Sequence, residues 1–272
     1  MKKFKPKTIQ AIILALVLCA LIKTVLNIHV SYVEGTIYIR ADGTIEPSTA
    51  PISNINNTTY VLTGNINYSI IIERDNITLD GKGYTIRGTG NGNGINLTLR
   101  INVTIQNTKV ENFSYGFYLF TSSNITIFNN TITNNVWDGI YAVYTDRSTI
   151  YGNTISSNKR YGIALSESGN NRIFHNGFID NANQTHIFDS FNNAWDDDFP
   201  SGGNYWSDYK EKYPNAEEID ASGIWDTPYI IDTNNIDRYP LVIPESSPGV
   251  ITSLLAILSI FAVSLTQKGT KK

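Results

Sequence analysis

Gly139-Ile140-Tyr141-Ala142-Val143-Tyr144-Thr145-Asp146-Arg147-Ser148-Thr149-Ile150-Tyr151-Gly152-Asn153-Thr154-Ile155-Ser156-Ser157-Asn158-Lys159-Arg160-Tyr161 is a phrase of 23 residues, and Gly162-Ile163 begins it again. Outward from it, Gly94-Ile95 and Gly116-Phe117 open two earlier copies. Gly94, Gly116, Gly139 and Gly162 therefore fall at steps of 22, 23 and 23. Four further columns keep the step. Ile105, Ile127, Ile150 and Ile173 form one apolar column; Val110, Ile132, Ile155 and Phe178 form another, five residues later. Asn130, Asn153 and Asn176 make a polar column, and Asn135, Asn158 and Asn181 a second. A fixed period of this length marks a stacked repeat.

Within each copy apolar residues alternate in short runs, such as Phe117-Tyr118-Leu119 and Ile125-Thr126-Ile127. Period two means a strand with one face buried. Asn-rich and Gly-rich joints between the runs supply left-handed turn residues. Such a coil closes on itself and pairs with the next coil as parallel strands about 4.8 Å away. Like residues then lie over like. Ile on Ile fills the interior, and Asn over Asn passes an amide hydrogen bond along the axis. The expected fold is all-β: a single-stranded right-handed parallel β-helix of 23-residue coils, with a cap at each end. The ladder residues are read as structural.

The flanks divide the 272 residues further. Residues 1–30 hold Lys2, Lys3, Lys5 and Lys7 followed by an apolar run from Ile9 to Ile22, the pattern of a signal peptide or signal anchor. Residues 31–75 are expected to form the N-terminal cap and first strands, and 76–191 the β-helix. Residues 192–243 form an aromatic and acidic C-terminal cap. After a linker at 244–249, residues 250–272 carry a second apolar run and the Lys-rich end Lys268, Lys271 and Lys272, which reads as a transmembrane anchor. Lysines at both ends inside the cell put the body on the extracytoplasmic side of the cell membrane. Cys19, the one cysteine, sits in the first apolar run as filler, so no internal disulfide exists. A net charge of -3 gives no footprint for nucleic acid. Ten Asn-x-Ser/Thr acceptors lie in the body, at Asn56, Asn57, Asn67, Asn76, Asn96, Asn102, Asn112, Asn124, Asn129 and Asn183, and point to a glycoprotein where the host has the machinery.

Two clusters in the C-terminal cap are candidate sites. Trp195, Tyr205, Trp206, Tyr209 and Trp225 would stack on sugar rings if exposed, or form the core of the cap if buried. Asp196, Asp197, Asp198 and Asp208 supply the hard oxygen ligands that calcium takes, or else form a solvated acidic turn. No column of the repeat carries a carboxylate twice, so the paired acids of a glycoside hydrolase are not evident, although Asp138 lies one column from Arg160. Arg147, Lys159, Arg160 and Arg172 fit a lyase base by type alone.

Asn76-Ile77-Thr78-Leu79-Asp80-Gly81-Lys82-Gly83, the 23-residue coils and Gly202-Gly203-Asn204-Tyr205-Trp206-Ser207-Asp208-Tyr209 together resemble the NosD-like β-helix proteins, in particular their archaeal cell-surface members. The resemblance covers residues from about Gly35 to Leu241. It implies a pectin-lyase-like fold, and it raises copper, because the best-known member is a periplasmic protein linked to copper-site maturation. Copper prefers Met, Cys or His. The body offers only His175 and His186, with His29 beside the first apolar run, so a copper site is not expected. The leading expectation is a non-catalytic surface β-helix binding extracellular glycans or neighbouring surface proteins. A polysaccharide lyase or hydrolase and a copper-maturation factor are the alternatives; fold alone does not choose among them.

Overall fold

The computed structural model describes residues 35–243. The two apolar end segments and the 244–249 linker lie outside the described residues. Among the described residues no helix is long and apolar enough to cross a membrane.

Short strands and sharp corners alternate, because each corner needs a residue in the left-handed region. On one coil these are Thr121, Asn124, Asn129 and Asn134, with φ of 54°, 53°, 55° and 56°. On the next they are Tyr144, Arg147, Gly152 and Ser157. Asparagine suits such corners because its short polar side chain hydrogen-bonds locally. Three strands per coil result, for example Tyr115–Phe120, Thr126–Phe128 and Thr131–Thr133.

About six coils stack into a β-solenoid. One eight-stranded sheet contains Asn93–Asn96, Tyr115–Phe120, Asp138–Val143, Tyr161–Ser166 and Asn183–Phe188 as successive parallel neighbours. A seven-stranded sheet runs through Ile77–Asp80, Val103–Gln106, Thr126–Phe128, Thr149–Tyr151 and Arg172–Phe174. A six-stranded sheet runs from Thr85–Arg87 through Lys109–Glu111 to Gly177–Ile179 and Tyr205–Trp206. The N-terminal end is closed by two antiparallel pairs, Ile37–Ile39 with Ile45–Glu46 and Ile52–Asn54 with Thr59–Leu62.

The register is the one the repeat demands. Ile105, Ile127, Ile150 and Ile173 pair rung on rung and are buried. Val110, Ile132, Ile155 and Phe178 do the same. Each such side chain contributes about 1.5–3 kcal/mol by leaving water. The polar ladder is equally regular. Asn130 Nδ2 donates to Asn153 Oδ1 at 3.1 Å, and Asn153 Nδ2 to Asn176 Oδ1 at 2.9 Å. In the second ladder Asn135 donates to Asn158 and Asn158 to Asn181, at 2.9 and 2.8 Å. Each rung also serves a backbone N–H of the coil before it, so the interior amides are fully used. The glycine column follows from close approach: a Cβ on Gly139 would stand 2.6 Å from the Gly162 carbonyl oxygen.

Both core columns end on tryptophan. Trp206 pairs with Phe178 in parallel register, and Tyr229 stacks beneath it at 4.1 Å. Ala194 bridges Arg172, which sets Trp195 below Ile173. Asn204 receives the Asn176 amide at 3.0 Å and so closes the first ladder. The Gly202-to-Tyr209 stretch therefore continues the coils before it caps them.

Candidate functional site

On the outer face of the eight-stranded sheet, side chains alternate with the inward residues of each strand, such as Phe117 and Leu119 or Ile163 and Leu165. Tyr118, Tyr141, Ala164 and His186 share one column along the solenoid axis. Tyr115 and Asp138 share a neighbouring column, and Tyr161 pairs with Asn183 on the coils that follow. The rings lean across the columns in pairs. Tyr115 stacks on Tyr141 with centroids 4.9 Å apart and planes 14° apart. Tyr161 stacks on His186 at 4.7 Å and 14°. Trp137, 46% exposed, meets Tyr115 edge-on at 5.1 Å.

Ala164 breaks this aromatic surface. Two rungs separate Tyr141 from His186, about 10 Å at the usual strand spacing. With only a methyl group between them, a slot opens. Its cavity measures about 230 Å³ and is lined by Tyr115, Tyr141, Arg160, Tyr161, Ala164, Leu165, Ser166, His186 and Phe188. One flat ring fits between two aromatic groups at that separation.

Arg160 holds one wall. Its guanidinium lies 5.2 Å from the Tyr161 ring centroid and 5.7 Å from that of Trp137. Asp138, fully buried, receives Arg160 Nε at 2.8 Å and Nη2 at 2.5 Å, and also the Tyr161 backbone N–H at 3.2 Å. Those hydrogen bonds raise the arginine's pKa further, so it stays a cation. Burial pushes the Tyr115 and Tyr118 phenols above their usual pKa, so both remain neutral hydrogen-bonding groups. The cavity lining contains no carboxylate, and Asp138 has both oxygens committed to Arg160. The arrangement suits stacking and hydrogen bonding with a neutral, hydroxyl-rich ring.

The residues singled out in the cap have other surroundings. Trp195, Trp206 and Tyr209 are buried, at 1%, 1% and 2% exposure, and present no free face to a ligand. Trp195 Nε1 donates to Asn235 Oδ1 at 3.0 Å, and Trp206 Nε1 to Asp237 Oδ2 at 2.9 Å. The core alternative describes these three. Trp225 is half-buried against Tyr209, 5.2 Å away, with the Lys210 ammonium 4.8 Å from its ring centroid. Tyr205 is a partly exposed member of the six-stranded sheet.

The acidic run is spread over three cations, Arg238, Arg172 and Lys212. Asp196 is buried and bidentate to Arg238, whose Nη2 also reaches Asp198. Burial raises the Asp196 pKa, but the Arg238 hydrogen bonds outweigh it and hold the carboxyl below its usual range. Asp197 pairs with Arg172, and Asp208 accepts from Tyr229 and Lys212. Among the described residues no three His, Cys, Asp or Glu side chains converge in a way that would hold a metal ion. Copper's preferred donors are scarce there too. His175 Nε2 contacts the Ser201 carbonyl at 2.9 Å at a corner near the cap, while His186 lies on the outer sheet face. Met1 and Cys19 lie outside the described residues. This donor set does not fit copper.

The sheet-face residues lie inside the repeat, where the alternation of each strand marks which side chains face inward but not what the outward ones meet. Their signal is the residue after the inward position that follows each column glycine: Tyr118, Tyr141 and Ala164 follow Phe117, Ile140 and Ile163, and His186 follows Thr185 in the next coil.

A family described as periplasmic copper-binding protein (NosD) matches residues 22–211 of the chain. No curated protein and no solved structure matches it.

Proposed function

The chain belongs to the NosD family and is an extracytoplasmic β-helix protein, and from that premise we propose that it is a membrane-anchored glycan-binding protein without catalytic activity. The observation that carries this reading is the slot over Ala164, walled by Tyr141 and His186 and flanked by the Arg160–Asp138 pair. Sugar rings offer an apolar C–H face to aromatic rings and hydroxyls to polar neighbours. The parallel coils extend the same face along the axis, which favours a chain of sugars over a single unit. The absence of a carboxylate from the cavity lining supports binding over hydrolysis, which needs two acids roughly 5–9.5 Å apart.

Copper is not part of this reading: among the described residues the two histidines, His175 and His186, lie on different parts of the solenoid, and no group of three His, Cys, Asp or Glu converges. Membrane anchoring rests on the apolar runs at Ile9–Ile22 and after Gly249. Glycosylation rests on the ten acceptor asparagines.

A glycan array probed with the full chain and with Ala164→Phe tests the reading. The wild type is expected to bind neutral glycans. The variant fills the slot and is expected to lose that binding. Because Ala164, the floor of the slot, is 1% exposed, a stability cost of about 1–3 kcal/mol is expected as well, and binding is compared below the melting temperature of both proteins. Equal binding by both proteins would remove the slot from the argument. Release of new reducing or unsaturated ends from a bound polymer would overturn the non-catalytic part.

A further inference from the structure

A second groove lies between the corner that follows the seven-stranded sheet and the six-stranded sheet. Its origin is a turn of unusual length. Strand Ile77–Asp80 ends at Asp80 and the next strand begins at Thr85, so Gly81, Lys82, Gly83 and Tyr84 fill the corner. One coil on, Asn107 and Thr108 alone span the same corner, between Gln106 and Lys109. The two extra residues project as a wall, with Lys82 and Gly83 both at positive φ, 50° and 82°. A cavity of about 460 Å³ opens beside it, lined by Lys82, Asn107, Thr108, Lys109, Asn129 and Thr131 as well as Gly83.

The groove differs from the aromatic slot in chemistry. Its lining includes no aromatic ring, two ammonium groups and a row of amides and hydroxyls. Each lysine is braced from behind. Lys82 Nζ lies 2.8 Å from Asp80, whose side chain is 8% exposed against 58% for the lysine. Lys109 Nζ lies 2.8 Å from Glu111, at 6% against 41%. Burial pushes both carboxyls up, yet the hydrogen bonds around them prevail and keep both below their usual range. Glu111 is also bound by Arg87 at 2.5 Å, so two cations share one carboxylate and the cluster carries excess positive charge. The floor is rigid, since Asn107 Nδ2 donates to Asp80 at 3.0 Å and Asn129 Nδ2 donates to Asn107 Oδ1. Positive charge thus faces solvent and negative charge faces inward, on a protein whose net charge is -3.

We propose that this groove binds the anionic groups of an acidic saccharide, a sugar bearing sulfate or carboxylate, with Lys82 and Lys109 as the charged contacts and Thr131 as a hydroxyl contact. That the anion is carried on a saccharide rests on the glycan-binding reading; the groove itself is separate from the aromatic slot, with which it shares no lining residue. A chain with net negative charge repels polyanions in general, so capture of one requires a local cationic site.

The test compares dextran sulfate with unsubstituted dextran on the full chain. Wild type is expected to bind the sulfated polymer about tenfold more tightly, with the preference shrinking as salt rises, since exposed charges are screened over about 8–10 Å at physiological ionic strength. The double variant Lys82→Gln, Lys109→Gln is expected to lose that preference; it leaves Arg87 on Glu111 and an amide donor near Asp80. Thr131→Trp obstructs the groove, keeps both lysines, and is expected to lose the preference as well. Equal binding of the two polymers by wild type overturns the proposal. Wild-type preference in either folded variant, checked by circular dichroism, also overturns it, as does loss of sulfated-polymer binding in Ala164→Phe.

Discussion

The C-terminal cap and the outer face of the eight-stranded sheet use the same side chains for opposite ends. In the cap, Trp206 lies between Phe178 and Tyr229, stacked at 4.5 and 4.1 Å, and its indole N–H is bound by Asp237. On the sheet, Tyr115 and Tyr141 stack at 4.9 Å, but one rung further along, Ala164 leaves the next place empty of rings. An aromatic residue becomes core when every neighbouring rung supplies a partner. It becomes a binding surface when one rung does not. Composition counts rings; only the register tells what faces them.

Substitutions should separate the two regions sharply. The largest effect is expected from Trp206→Ala. It empties the foot of a core column and removes a donor from buried Asp237, for a loss of about 3–5 kcal/mol in a denaturant melt. A loss under about 1 kcal/mol would mean the cap is not the plug described here.

Asp237 comes next. Burial pushes its carboxyl up to about 7, against the opposing hydrogen bonds from Asn204, Trp206 and Tyr239. A folded-state value above the unfolded one means that this group's contribution is fully present below about pH 4. It is lost as pH rises through about 7. Tryptophan-fluorescence melts should therefore show the cap weakening from about pH 4 to 7 and levelling off above that. Asp237→Asn should flatten that slope while costing about 1–3 kcal/mol, because an amide cannot accept at both former oxygens. An unchanged slope would place the titrating group elsewhere.

Tyr141→Ala should be the mildest for stability. Half-buried and stacked on one side, it is expected to cost about 0.5–1.5 kcal/mol beyond its burial. Neutral-glycan affinity should fall about tenfold, equivalent to about 1.4 kcal/mol. Full affinity in this variant would return the sheet face to the status of ordinary surface.

Much of the body was legible from the chain. The Ile and Asn columns named from spacing pair rung on rung, because a coil that closes on itself turns sequence period into vertical distance. The foot of the ladder was harder to see. Asn204 and Trp206 repeat the spacing of Asn176 and Phe178, but residues 184–203 include an excursion that lengthens the step to 28. The groove beside Lys82 is hidden in the same way: nothing in Asp80-Gly81-Lys82-Gly83 alone says that this corner is two residues longer than the one stacked on it.

The sequence by itself determined the repeat, the interior columns and their register, since these follow from residues a fixed distance apart along one chain. Tertiary structure alone decided which aromatics are covered, which carboxylates already hold a cation, and where a missing side chain leaves space. Those properties depend on neighbours supplied by other coils and by the cap, and on small differences in turn length that no single coil records.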